Sequence, residues 1–155
     1  MIRNFIFLIL IISLISCGYS PVLKLNENSN FNIKDAKLEG DRLVNNHLRI
    51  KFKRYNNQKG DNFNIFVKSN YEKIILSKDL KGRATDYKLQ LNIIFDVRKL
   101  DPKENEEFNK SFSFNEEFVL KDNNFKFDEE NDEKSIKRNL VDTIFDKFII
   151  ELINR

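Results

Sequence analysis

Thr85–Leu100, TDYKLQLNIIFDVRKL, alternates apolar and polar side chains almost without a break. This two-residue period is typical of a β-strand with one buried face and one wet face. The apolar positions are Tyr87, Leu89, Leu91, Ile93, Phe95 and Val97. The polar positions are Asp86, Lys88, Gln90, Asn92, Asp96 and Arg98. The stretch therefore predicts a long strand that covers a core on one side only.

Weaker alternation on either side of this strand predicts its neighbours. Upstream, DNFNIFVKSN alternates at Phe63, Ile65 and Val67. The pattern resumes in EKIILSKD at Ile74 and Leu76, and the break near Ser69-Asn70 predicts a bulge or bend. Downstream, the turn DPKENE leads to a partner strand with apolar positions at Phe108, Phe112, Phe114, Phe118 and Leu120. A short first strand is predicted in FNIKDAKLEG.

Two segments have the apolar spacing of helices. The first begins at Glu39-Gly40-Asp41 and buries Val44, Leu48, Phe52 and Tyr55. The second begins near Asp128 or Asp132, where acidic residues suit the positive end of the helix dipole. Its apolar stripe is wide enough to cover a sheet face and comprises Ile136, Leu140, Val141, Ile144, Phe145, Phe148, Ile149, Leu152 and Ile153.

The order of these elements is β-α-β-β-β-α, which predicts an α+β fold. We expect a two-layer sandwich in which two helices cover one face of a sheet of about four strands. The other sheet face stays polar and uncovered. Residues 30–155 are enough for one such domain, with a single modest core.

The N-terminal residues have the pattern of a secretory signal. Arg3 precedes an unbroken apolar run, Phe5 to Ile12, which ends near the small residue Ser16. A transmembrane anchor is the alternative, but the apolar stretch is well short of the ~20 residues that a spanning helix needs. Leu14-Ile15-Ser16-Cys17 matches the bacterial lipobox. Residues 1–16 are therefore predicted to be a lipoprotein signal peptide, and residues 17–29 an extended tether that begins at the lipidated Cys17.

Composition narrows the chemistry available to the domain. One cysteine and one histidine, His47, exclude an internal disulfide and a Cys/His zinc cluster, although sites built from carboxylates stay possible. The net charge of +3 is small beside 27 basic and 24 acidic residues, and it does not by itself predict an anionic partner. Arg49, Lys51, Lys53 and Arg54 form either a solvated helix surface, which we favour, or an anionic-lipid or nucleic-acid face.

Nothing in the sequence favours an enzyme. The chain lacks a Gly-rich phosphate loop and a G-x-S-x-G nucleophile motif, and no cofactor is expected. The acidic pairs Glu116-Glu117 and Glu129-Glu130 leave a two-carboxylate hydrolase open, but surface charge is the favoured interpretation. A lipoprotein signal also argues against nucleic acid as a partner.

Three segments resemble the lipopolysaccharide-assembly lipoprotein family LptE. They are CGYSPVL at the predicted mature start, GDRLVNNHLRIKF in the first helix and KGRATDYKLQLNIIF at the entry to the long strand. Gly18 and Tyr19 match the family's Gly and aromatic residue after the cysteine. Ala84-Thr85-Asp86-Tyr87 is similar to the family's Ala-x-Tyr entry, with one residue more.

The resemblance implies diacylglycerol on the Cys17 sulfur, cleavage before Cys17 and acylation, for example by palmitate, of the new amino group. Gly18, where the enteric retention signal has Asp, implies transfer to the outer membrane with the domain in the periplasm. By the same resemblance the protein is a plug and assembly partner of an LptD-like outer-membrane β-barrel and helps deliver lipopolysaccharide to the outer leaflet.

Basic residues at strand ends are the candidates for contacts with lipopolysaccharide phosphates, because charge-assisted hydrogen bonds to phosphate are strong. They are Lys81, Arg83, Arg98 and Lys99, although for any one of them an ordinary solvated charge is the favoured interpretation. The alternative function is another outer-membrane lipoprotein, either a pilot or scaffold for a different machine or a small periplasmic ligand binder.

The lipidation prediction is tested by Cys17→Ala with Ser16→Ala as its matched control. Ser16→Ala keeps a small residue before the cysteine and should still incorporate labelled palmitate. Cys17→Ala should incorporate none, because both acylation sites need this cysteine at the mature N-terminus. Label on the Cys17→Ala protein would contradict the prediction.

Overall fold

A computed structural model describes residues 31–56, 59–100, 109–121 and 126–154, with the backbone alone for 126–129. The elements are strand β1 (Phe31–Gly40), helix α1 (Arg42–Phe52) with a 3-10 turn (Lys53–Tyr55), strands β2 (Asp61–Lys78), β3 (Ala84–Lys99) and β4 (Asn109–Lys121), and helix α2 (Lys126–Ile153). The predicted order of elements is confirmed. The signal peptide, Cys17, the tether, the DPKENE turn and the side chains of Phe108 and Glu129 lie outside the described residues.

The four strands form one mixed sheet in the order β1-β2-β3-β4. β1 runs parallel to β2, whereas β2, β3 and β4 are joined by antiparallel pairings. A parallel pair needs a crossover connection, and α1 supplies it. The predicted α+β sandwich with both helices on one face is therefore confirmed.

The core lies between the inner face of the sheet and the two helices. Aromatic rings fill its centre: Phe95 stacks on Phe148 with 4.1 Å between ring centroids, and Phe52 meets Phe145 edge-on at 5.4 Å. The predicted inner face of β3 from Leu89 to Val97 is buried, as are most of the predicted helix stripes. Phe118 and Ile153 were expected in the core, but both are substantially exposed; Ile153 is the last residue of α2.

The predicted bulge or bend at Ser69-Asn70 is wrong. β2 is continuous there, with Ser69 opposite Ile93 and Asn70 opposite Asn92 on β3, and its irregularity falls later, between Ile75 and Lys78. The hydrophobic pattern appeared broken because Ser69 is a polar residue on the inner face, where it is only 7% exposed. A buried polar group needs hydrogen-bond partners, and Ser69 has them.

Ser69 of β2 contacts the turn that connects β1 to α1. Its hydroxyl accepts a hydrogen bond from the Asp41 N–H at 3.1 Å and lies 3.0 Å from Oδ1 of Asn45 and 3.2 Å from the Glu39 carbonyl. Gly40 has φ of +108°, and a Cβ at this position would lie 1.8 Å from the Ser69 carbonyl oxygen. Only glycine can therefore make this turn against β2.

Asp41 then starts α1 and connects it to α2. One carboxylate oxygen of Asp41 caps the helix by accepting from the Val44 N–H at 2.9 Å. The other accepts from the Lys137 ammonium at 3.2 Å, and this ammonium lies 3.5 Å from the centre of the Tyr71 ring. One carboxylate thereby joins both helices and β2.

Glu133 extends this polar cluster toward β3. It accepts from the Tyr71 hydroxyl at 2.8 Å and from the Lys73 ammonium at 2.9 Å. Burial would raise the pKa of Glu133, but the hydrogen bonds from Lys73 and Tyr71 and the charges of Lys73 and Lys137 outweigh it and hold that pKa below its usual value. Burial, together with the hydrogen bond to Glu133, raises the pKa of Tyr71.

Of the four basic residues of the first helical segment, Arg49, Lys53 and Arg54 are exposed, as the favoured interpretation expects, whereas Lys51 is not a solvated charge. Lys51 is largely buried and pairs with Asp142 of α2 at 2.7 Å, and His47 Nε2 lies 2.7 Å from the same carboxylate oxygen. Burial would raise the pKa of Asp142, but the hydrogen bonds from Lys51 and His47 lower it overall. These contacts hold α1 beside α2.

Substituting alanine at Gly40 tests the turn that the fold depends on. Gly40→Ala should destabilise the protein by roughly 2–4 kcal/mol, because it combines a left-handed backbone with a clash against the β2 backbone. Gly82 has φ of +78° with nothing within 4 Å of an added Cβ, so Gly82→Ala should cost only about 1 kcal/mol. Urea unfolding of both variants measures this; equal losses would contradict the close-approach account.

Candidate binding surface

The β2–β3 hairpin carries two of the predicted phosphate-contact residues at its turn. Asp79 organises the turn: its Oδ1 accepts from the N–H groups of Lys81 and Arg83, both at 2.8 Å. Its Oδ2 accepts from the Arg83 guanidinium at 2.8 Å. The backbone and side-chain hydrogen bonds from Arg83 hold the pKa of Asp79 below its usual value. The carboxylate is thus ionised at neutral pH and fixes the loop.

Lys81 and Arg83 differ in whether their side-chain charge is already paired within the protein. The Arg83 side chain is well exposed but already neutralises Asp79. The Lys81 ammonium has no hydrogen-bond or ion-pair partner among the described side chains, since Asp79 contacts only its backbone N–H. Lys81 is therefore the more available of the two cations for an external anion.

The other two predicted residues lie at the opposite end of β3. Arg98 donates from Nε to the Asn109 side-chain oxygen at 3.2 Å, and the Lys99 ammonium pairs with Asp61 at 3.4 Å. The length of β3 separates them from Lys81 and Arg83 by about 50 Å, at ~3.3 Å per residue. The four candidates therefore form two separate pairs rather than one site.

Arg98 also borders a shallow depression on the uncovered face of the sheet. The depression has a volume of about 440 Å³ and is open to solvent. All four strands contribute to its lining, which includes Asp35, Lys37, Asn64, Asp96, Arg98 and Ser111. Both signs of charge are present, so it would suit a polar ligand better than a simple anion.

The sequence analysis missed an exposed apolar surface beside the hairpin turn. Leu80 is fully exposed at the turn, and Ile74, Ile75 and Leu76 follow each other along β2 with a third to a half of each exposed. Ile74 and Leu76 had been assigned to the core side of the strand. The change from odd to even apolar positions between Val67 and Ile74 was the signal that the strand had left the core.

The two described helices were also compared with what a bilayer-spanning helix requires. Within the described ranges, neither α1 nor α2 is long and apolar enough to cross a membrane.

Comparisons with known proteins identify structures with a similar fold. No protein-family model and no curated protein matches the sequence. Among solved structures, a minor lipoprotein from Acinetobacter baumannii matches with a TM-score of 0.52 and 13% identity, over 79% of this chain and 90% of that one. A lipoprotein from Caulobacter crescentus matches with a TM-score of 0.51 and 13% identity, over 81% and 88%. The rare lipoprotein B from Shewanella oneidensis has a TM-score of 0.49 and 17% identity, over 78% and 98%.

The likeness to the Acinetobacter and Caulobacter proteins covers most of each chain, and at 13% identity it shows a shared fold. The protein therefore has an α+β sandwich fold of the kind found in bacterial lipoproteins. This agrees with the lipobox at Leu14–Cys17.

Proposed function

We propose that this protein is an outer-membrane lipoprotein, held by an acylated Cys17, that acts as a non-enzymatic plug and assembly partner of an LptD-like β-barrel. Its domain would sit on the periplasmic side and assist delivery of lipopolysaccharide, as the resemblance to the LptE family implies. One observation carries the proposal. The sandwich is filled on its helix side, while in the described part of the chain no element covers the opposite face of the sheet, which is predominantly polar.

The filled core argues for a partner-binding role. A binder of apolar molecules needs a cavity between its layers. Here the space between sheet and helices holds contacting rings, among them Phe95, Phe112 and Phe148, each at most 4% exposed. The surfaces left for function are therefore on the outside of the sandwich.

The outer face of the sheet has the chemistry that a polar barrel interior would accept. Asn70, Asn92 and Asn115 are paired across β2, β3 and β4 and form an uncharged row of amides. Amides both donate and accept hydrogen bonds, so such a row can face either polar side chains or water. The interior of a large outer-membrane barrel is polar in the same way.

For lipopolysaccharide itself we assign the contact to the hairpin turn. Lys81, whose ammonium has no partner among the described side chains, lies beside the exposed Leu80, so this end offers a cation for phosphate and apolar surface for acyl chains. Arg98 and Lys99 are less suitable because each is held by a neighbour on the sheet.

The depression around Arg98 favours one alternative, a periplasmic binder of a small polar ligand. Its lining of amides, carboxylates and an arginine on rigid strands is suited to hydrogen-bonding such a ligand. A protein of this kind would need no stoichiometric barrel, which makes the two functions distinguishable.

Purification of the tagged full-length protein from detergent-solubilised membranes of its own host tests the proposal. We expect a large β-barrel to co-purify in about equal amount. Cys17→Ala should reduce the yield of this complex, because loss of the tether lowers the effective concentration of the domain at the membrane. A protein that is lipidated at Cys17 but elutes alone would overturn the barrel assignment and favour the ligand binder.

The same preparations test the lipopolysaccharide contact. Bound lipopolysaccharide per copy of protein should fall several-fold, about the loss of one charge-assisted contact, in Lys81→Ala. Lys59→Ala, which removes an exposed lysine elsewhere, serves as the control. Equal lipopolysaccharide in both variants would contradict the assignment of the hairpin turn.

A further inference from the structure

β2 extends well beyond the strand that pairs with its outer side. The last paired residues of β1 and β2 are Gly40 and Ser69, whereas β2 continues to Lys78. In the described part of the chain, no strand pairs with that side of Asn70–Lys78. We call this segment the free edge. Its unpaired backbone N–H and C=O groups can template another strand.

The free edge is built into the fold rather than produced by fraying of β1. β1 cannot continue past Gly40, because the chain turns there with positive φ and Asp41 begins α1. Ser69 and the Asp41–Lys137 pair hold this turn in place. On its other side, the segment stays paired with β3 almost to its end. A rigid, half-paired strand is thus presented to the surroundings.

The apolar middle of the free edge, Ile74–Leu76, lacks the usual protection against strand addition, although Glu72, Lys73 and Lys78 lie on either side of it. Exposed edges are normally blunted by charges, proline or a covering element. β4, the opposite edge of the sheet, carries Glu116 and Glu117 in its middle. The free edge instead presents three consecutive apolar residues, Ile74, Ile75 and Leu76, each 37–50% exposed. An apolar and unpaired edge of this kind is expected to be covered in the working protein.

We propose that the free edge, Asn70–Lys78, accepts an extended strand of the barrel partner by β-strand addition. The inference rests on the proposed function and adds to it the surface and the mode of contact. Ile74 and Ile75 point to opposite faces of the sheet, so the incoming strand should have neighbouring apolar residues, one for each face. It should also carry an acidic residue near the turn, where Lys78 and Lys81 give the edge a basic end.

The chain's own tether does not fit this role. Phe31 pairs with Asp61, so residue 30 enters the domain at the end of β2 farthest from the free edge. Ile75 lies about 45 Å along the strand from that point, at ~3.3 Å per residue. The predicted tether, residues 17–29, spans at most about 45 Å when fully extended. Pairing it with the free edge would consume the whole tether and leave no slack between the domain and Cys17.

Hydrogen–deuterium exchange of the full-length protein, alone and in the co-purified complex, tests the inference at the backbone. Amides in peptides from Asn70–Lys78 should exchange at least ~10-fold more slowly in the complex, while those of the β4 edge change little. Equal protection of both edges would overturn strand addition, because it would reflect general burial. Slow exchange, in the isolated protein, of the amides that point away from β3 would also overturn it, since the tether or a second copy would then be the occupant.

A charge placed on the free edge provides the matched variant. Ile75→Lys should lower the recovered barrel ~10-fold, because it places a charge in the middle of the apolar stretch Ile74–Leu76 that the incoming strand would contact. Leu43→Lys, at a similarly exposed apolar position on α1, should lower it less than ~2-fold. Thermal unfolding of the isolated variants checks that both fold, and equal effects of the two variants would overturn the inference.

Two outcomes distinguish failure of the proposed function from failure of strand addition alone. Absence of any barrel in the purified material would refute the proposed function and this inference with it. A barrel that co-purifies while Asn70–Lys78 exchanges as fast as in the isolated protein would refute strand addition alone.

Discussion

The contact between the β1–α1 turn and Ser69 of β2 determines how the two layers fit together. Gly40 allows the β1 backbone to approach the Ser69 carbonyl more closely than any side chain would permit. The Ser69 hydroxyl then takes up the Asp41 N–H and lies within hydrogen-bond distance of the Asn45 side chain. This contact sets where β1 ends, where α1 begins and therefore how much of β2 stays unpaired.

The polar groups around this turn connect elements that hydrophobic packing alone would leave free to slide. Asp41 bonds to Lys137, Lys137 lies over Tyr71, and Tyr71 donates to Glu133. Each buried charge has a counter-charge or a ring, so the cluster avoids the large cost of unpaired buried ions. Beyond this cluster, the β2–β3 hairpin exposes the apolar residues Ile74–Leu76 and Leu80. The filled sandwich thus carries a hairpin with basic and apolar surfaces.

Hydrophobic periodicity was sufficient to predict the architecture of the fold but not the exposed surfaces that it presents. The alternation from Leu89 to Val97 and the stripe from Leu140 to Leu152 report burial directly, and both are confirmed, whereas Tyr87 is only half-buried. Ser69 misled the prediction because a polar residue satisfied by tertiary partners is indistinguishable in sequence from one in a bend. Ile74 and Leu76 were wrongly assigned to the core because exposed apolar residues on a strand have the same sequence pattern as buried ones. The positions of Lys81 and Arg98 at opposite ends of the sheet depend on strand register, which periodicity does not specify.

Replacing the Ser69 hydroxyl tests the central role of this contact most directly. Urea unfolding should show a loss of roughly 2–3 kcal/mol for Ser69→Ala, because the Asp41 N–H and the Asn45 side chain lose a buried partner. Ser113→Ala, which removes a hydroxyl from the exposed face of β4, should stay within ~0.5 kcal/mol of the parent. Equal stability of the two variants would show that the turn is held by packing alone and would contradict this account.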